Sequence, residues 1–216
     1  MNPSGIQYWR LKAREERKTR KGLDALVYKF HGIYHRRSSR LKGFLHVAEL
    51  AGKEADKLES SSDEEVRAIL AERRREFLKE PVPEDSLVSG LAAVIQGARR
   101  VLKMDPYPVQ LAGAASLFEG CLAEMATGEG KTLTVALAAA LMGSTGRPCH
   151  VITSNDYLAS RDAKELTDFF SFFGLRVDSV TGDLAPPQRE KAYQAEITYT
   201  TPKEALADFL RDRLAL

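Results

Sequence analysis

The rhythm of apolar positions changes near residue 105. Upstream, apolar residues recur at helical spacing. Leu23, Leu26, Val27, Phe30 and Tyr34 fit a short amphipathic helix. Residues 46–60 drift into a polar linker that ends in Ser60-Ser61-Ser62. Asp63-Glu64-Glu65 then reads as a capped start, predicting a helix to about Lys79 that stops before Pro81. A second helix is predicted from about Asp85 to Leu102, burying Leu87, Leu91, Val94, Ile95 and Ala98. From Tyr107 onward, short apolar runs alternate with helical patterns. Strands are predicted near Cys121–Met125, His150–Thr153, Arg176–Val180 and Glu196–Thr200. Helices are predicted near Leu133–Met142, Asp156–Phe173 and Pro187–Gln194, with a last one from about Pro202. This alternation predicts an α/β fold, a parallel sheet covered by helices, behind a helical N-terminal region. Leu206, Phe209, Leu210 and Leu214 still follow an amphipathic pattern at the last residues, as in a chain that continues.

The sharpest chemical signal lies between the first predicted strand and the helix after it: Thr127-Gly128-Glu129-Gly130-Lys131-Thr132. Gly128 and Gly130 allow the backbone to turn so that its N–H groups meet phosphate oxygens, and the following helix adds its positive end. Lys131 supplies a point charge for β- and γ-phosphates, and Thr132 a hydroxyl for Mg²⁺. The general form of this loop has glycine where Met125 stands; the shorter T-G-x-G-K-T form is intact. Upstream, in Asp105-Pro106-Tyr107-Pro108-Val109-Gln110, the Gln110 amide carries both donor and acceptor groups that match an adenine edge. These residues predict a site for ATP and Mg²⁺.

Charge alters the picture at the N-terminus. Residues 1–42 hold twelve Lys/Arg against three acids, a local net charge of +9 in a chain of +2, so the remainder carries −7. Such an arm is a solvated tail, a contact for anionic lipid, or a contact for nucleic acid. Hydrophobic residues make up 44% of the 216, enough for a sizeable core, and no run of about 18 apolar residues suggests a membrane span. Met1–Lys21 has no apolar core of a secretory signal. Cys121 and Cys149 lie apart in apolar stretches and read as reduced core thiols. His31 and His35, four apart, read as polar positions rather than metal ligands. Phe169, Phe170, Phe172 and Phe173 beside Gly174 read as packing against the sheet. Asp156, Arg161 and Asp162 are either a solvated helix start or part of a functional motif.

Taken together, the motifs resemble SecA, the ATPase motor family of bacterial protein export. Asp105–Thr132 resembles the entry to its nucleotide domain. The block Asn155-Asp156-Tyr157-Leu158-Ala159-Ser160-Arg161-Asp162 is the most specific match. Ile197-Thr198-Tyr199-Thr200-Thr201 and Phe209-Leu210-Arg211-Asp212 resemble the motif that follows, although Thr200-Thr201-Pro202-Lys203 stands where the family has Gly-Thr-Asn-Asn. The resemblance covers about residues 60–216. It implies a partial RecA-like domain, with residues 1–45 a basic arm, 46–104 a helical region and 105–216 a first nucleotide-binding domain that stops before the Walker B carboxylates. It further implies an ATPase that moves preproteins through the SecYEG channel, in the cytoplasm and peripherally on the inner face of the membrane, with the basic arm on anionic lipid. Gln110 would then contact adenine, Thr127–Gly130 and Lys131 the phosphates, and Thr132 the Mg²⁺. The portion read here is expected to hydrolyse little alone, because no catalytic set is complete within it. Competing readings are a superfamily 2 nucleic-acid helicase fragment and a non-catalytic nucleotide- or partner-binding module. The Asn-Asp-Tyr-Leu block argues against nucleic acid as partner.

Overall fold

Val47, Ala48, Ala51 and Ala55 repeat along one side of a helix, and all four are buried. In the computed structural model of the protein, which describes Leu26 and residues 39–214, they belong to α1, Ser39–Lys57. The predicted linker at 46–60 is therefore mostly helix. Its buried face is built from alanines, whose small side chains give little hydrophobic contrast along the sequence. The amphipathic segment expected at 23–34 lies, apart from Leu26, outside the described residues, as do His31 and His35.

The capped start at Ser62 is present. The Ser62 hydroxyl accepts the Glu65 N–H at 3.2 Å, and the Glu65 carboxylate accepts the Ser62 N–H at 2.7 Å. The helix it opens, α2, runs Asp63–Arg73, shorter than predicted. Residues 74–79 tighten into turns that bring Phe77 into the core. The next predicted helix is in two parts: α3, Glu84–Gly97, and a π-helical turn, Ala98–Leu102. Arg99 pairs with Asp56 and Asp105 there, and Arg100 with Asp63. These long-range pairs hold a turn that local pattern does not specify. Almost all of α3 from Ser86 is buried, and at Gly97 a Cβ would come within 2.4 Å of the Phe173 ring. A fourth helix, α4, Pro108–Phe118, was not anticipated. It opens on Pro108 and carries Gln110 in its first turn.

Beyond α4 the chain is irregular from Cys121 to Ala126, where a strand was expected. Leu122 is 97% exposed, and no described strand pairs with the segment. A short apolar run alone does not make a strand without a neighbouring backbone to bond. The α/β portion then follows as α5, Lys131–Ser144; β1, Cys149–Ile152; α6, Asp156–Glu165; α7, Thr167–Phe172; β2, Val177–Ser179; α8, Pro186–Tyr193; β3, Ile197–Thr200; and α9, Pro202–Leu214. The single helix expected over 156–173 breaks at Leu166, which turns inward and is buried. The three strands form one parallel sheet in the order β1-β3-β2, with Cys149 opposite Ile197 and Val177 opposite Ile197. All four residues of β3 are buried. Ile197 packs near Gly143 of α5, while Thr198 on the opposite face donates to the Ala192 carbonyl of α8 at 3.2 Å. Phe169, Phe170 and Phe172 are core, as expected.

The chain divides into two compact units. Residues 41–204 hold the helical layer, the sheet and the whole candidate site. The other unit comprises residues 1–40 and 205–216. In its described part, the Asp208 carboxylate accepts from Arg211, and the Arg213 guanidinium stacks 4.6 Å from the Phe209 ring centre.

Candidate functional site

Ligands of parallel α/β sheets sit beyond the carboxyl ends of the strands and at the N-termini of the covering helices. In this chain the N-terminus of α5 is the predicted loop. Thr127 and Gly128 make an exposed turn, with Gly128 at φ 90°. Gly130 caps α5 at φ 79°, ψ 42°, in the left-handed region. A side chain there would be strained, and its Cβ would lie 2.2 Å from the Gln110 amide nitrogen. The Gly130 carbonyl accepts the Thr134 N–H at 3.1 Å and the Thr134 hydroxyl at 3.3 Å. That ties the loop to a buried threonine of the first helical turn.

Gln110 is central to the loop's shape. Its Nε2 donates to the Glu129 carbonyl at 2.9 Å, and its Oε1 accepts the Tyr107 N–H at 3.0 Å. An amide group has two N–H donors and two lone-pair directions; one of each is used here. Tyr107, 69% exposed, and the exposed Met104 and Val109 flank it. The Glu129 side chain folds back, its Oε2 accepting the Ala126 N–H at 2.8 Å.

Lys131 and Thr132 are exposed, and both line a pocket of about 550 Å³ between α5 and β1. Lys131 makes no ion pair among the described residues. The pocket wall is apolar, with Val135, Ala139 and Met142 on one side and Val151 and Leu158 on the other. Its other polar members are His150, Thr153, Ser154, Asp162 and Tyr199. Asp162 is held through Oδ1 by Arg161 at 2.9 and 2.6 Å, which raises the already high Arg161 pKa, through the hydrogen bond first and the charge second. Tyr199 is 1% exposed, and its hydroxyl has no hydrogen-bond partner. Burial, followed by the Asp162 charge, raises its pKa. Burial likewise pushes the neighbouring Cys149 thiol up to about 11, so it is a neutral wall group.

The Asn155–Asp162 block sits at the carboxyl end of β1. Asn155 caps α6, accepting the Leu158 N–H at 2.8 Å. Asp156 reaches across the strand ends to accept the Gly182 N–H at 2.8 Å. Behind it lies a buried ion pair: Arg189 donates to Glu204 at 2.7 Å and to the Thr181 carbonyl at 2.6 Å, with both charged side chains 7% exposed. Nothing in the sequence marked Arg189 or Glu204, and Tyr199 was noted only as a member of the Ile197–Thr201 motif, not as a wall of the pocket. Their partners lie on other elements, beyond the reach of spacing.

The residues present fit a Mg²⁺-bound nucleoside triphosphate. An ammonium and a hydroxyl stand side by side at a helix N-terminus, behind a turn with two left-handed glycines. No group of three or more His, Cys, Asp or Glu able to hold a metal alone occurs among the described residues, so the cation would be shared with the phosphates. No described helix is long and apolar enough to cross a membrane.

The pattern defining the SecA DEAD-like domain matches residues 30–216. The chain is 42% identical over 186 residues to "Protein translocase subunit SecA 2" of Chlorobium chlorochromatii, covering 86% of this chain and 28% of that protein. It is 40% identical over 195 residues to the protein of the same name from Magnetococcus marinus, covering 90% and 30%. "Protein translocase subunit SecA" of Francisella tularensis subsp. novicida is 43% identical over 157 residues, covering 73% and 17%. The chain thus spans under a third of the length of these relatives.

Proposed function

Since the chain belongs to the SecA DEAD-like domain family, we propose that it is the ATP-binding N-terminal portion of a translocase motor that couples ATP hydrolysis to the movement of preproteins through a SecYEG-type channel. The observation that carries this reading is the pairing of Lys131 and Thr132 at the start of α5, exposed beside the left-handed Gly128 and Gly130. In this reading the amides of Thr127–Gly130 cradle the phosphates, Lys131 pairs with the terminal phosphates, and the Thr132 hydroxyl ligates Mg²⁺. Bound Mg²⁺ supplies charge neutralisation of the phosphoryl oxygens. Gln110 offers its remaining donor and lone pair to the adenine edge, with the exposed Tyr107 ring as a stacking face.

Residues 105–216 then form part of the first nucleotide-binding domain, 46–104 its helical support and 1–45 a basic arm on anionic lipid. The motor would work in the cytoplasm, at the inner face of the membrane. Among the described residues no strand lies on the side of β1 away from β3: Cys149 and Thr153 direct their N–H groups to β3, and those of His150 and Ile152 face the other way. A further strand carrying the Walker B carboxylates would fill the apolar pocket there and place an acceptor at the Tyr199 hydroxyl. The only acidic side chain lining that pocket, Asp162, is bound by Arg161. This portion alone should therefore bind nucleotide and hydrolyse it slowly.

Calorimetric titration with ATPγS and Mg²⁺ tests the site. Binding to the wild type that is lost in Lys131→Ala supports it, and equal binding by both overturns it. In a full-length protein, ATPase activity stimulated by anionic liposomes rather than by RNA supports the translocase over a helicase.

A further inference from the structure

The phosphate loop contains an anion of its own. Glu129 is exposed at the tip of the turn, between the two left-handed glycines. Instead of pointing to solvent, its carboxylate returns to the Ala126 N–H at 2.8 Å, closing the loop on itself. Its main-chain carbonyl is fixed from the other side by Gln110, so the residue is held at both ends. The carboxylate thus sits at the edge of the Thr127–Gly130 amides that would meet phosphate, and brings a negative charge there. Phosphate-loop chemistry requires glycine, lysine and a hydroxyl at the flanking positions; it asks nothing of position 129. A residue there without a side-chain acceptor would leave the Ala126 amide open.

We propose that Glu129 closes the loop on the Ala126 amide, beside the phosphate cradle, in the nucleotide-free protein, and that its charge makes nucleotide entry depend on a divalent cation. The inference rests on the nucleotide reading of the loop. When triphosphate enters, the carboxylate remains within one turn of a multiply charged anion. Lys131 is the only cation in the loop and offsets one charge. A nucleotide without Mg²⁺ therefore meets the full repulsion of Glu129, whereas one carrying Mg²⁺ meets much less. The side chain acts as a charge filter that favours metal-bound nucleotide. It is a specificity-determining residue rather than a catalytic one.

The test compares ATPγS affinity in Mg²⁺ with that in EDTA, for wild type and Glu129→Gln. Glutamine keeps the length and an acceptor oxygen but removes the charge. The expected result is a gain of about tenfold in EDTA against less than threefold in Mg²⁺, so the dependence on metal shrinks. An unchanged ratio, or equal weakening under both conditions, overturns the filter while leaving the nucleotide site standing. No binding by the wild type under either condition overturns both. A second readout concerns the resting loop alone. In the nucleotide-free protein the Ala126 amide should exchange its hydrogen more slowly in wild type than in Glu129→Ala, and equal exchange rules out the self-closed loop.

Discussion

Two polar clusters flank the sheet, and they are built on opposite plans. The glycine loop before α5 is exposed, tied down by one hydrogen bond from Gln110 and two from Thr134, and leaves Lys131 and Thr132 uncommitted. The Arg189–Glu204–Thr181 cluster, at the carboxyl ends of β2 and β3, is buried, and its charges are matched internally. Water and ligand can exchange at the first without disturbing the core. At the second, a buried charge that loses its partner has nowhere to relax. One cluster is kept available for a ligand; the other fixes the loops around it.

Substitution should separate the two. The largest effect belongs to the buried pair: Arg189→Ala leaves the Glu204 carboxylate with only the exposed Lys203 ammonium at 3.9 Å and should cost about 3–5 kcal/mol, read as a lowered denaturation midpoint in urea. Replacing both partners by apolar residues of similar size should recover much of that loss. If the single variant melts like wild type, the contrast fails. Gly130→Ala comes next. It forces a Cβ into the left-handed region and onto Gln110, and should cost about 1–3 kcal/mol in stability and weaken nucleotide binding together. Ser62→Ala, which removes a cap far from either cluster, should cost about 1 kcal/mol with binding unchanged.

The smallest effect is one of pH. The Arg176 guanidinium, hydrogen-bonded to Glu196, holds that carboxyl down at about 2. A depressed carboxylate contributes its stability above the unfolded value of about 4.3, and loses it as pH falls toward 2. The pair is largely exposed, so screening limits the contribution to about 0.5–1 kcal/mol. Glu196→Gln should accordingly flatten the acid limb of the stability curve between about pH 4.3 and 2, by lowering neutral stability by about 0.5–1 kcal/mol.

What could be read from the sequence follows the same division between local and distant. The capping box at Ser62–Glu65, the glycine turn before Lys131 and the apolar runs of β1, β2 and β3 are short-range signals, and each appears where spacing put it. The buried alanines of α1, the π-helical turn at Ala98–Leu102 and the break at Leu166 depend on packing or on pairs such as Arg99–Asp56, 43 residues apart. The segment Cys121–Met125 is a short apolar run yet has no partner strand among the described residues. Gln110 illustrates both: its place was visible, while its bond to the Glu129 carbonyl was not, because the chain must first fold α4 against α5.

The unclaimed side of β1 has a practical corollary for anyone handling this polypeptide. A row of free amides and carbonyls beside an oily trough is sticky, and crowded copies will find one another through it. Ile152, half exposed on that rim, is where a lysine would blunt the adhesion. Sedimentation of the Ile152→Lys variant should show fewer soluble clusters than the parent at equal concentration.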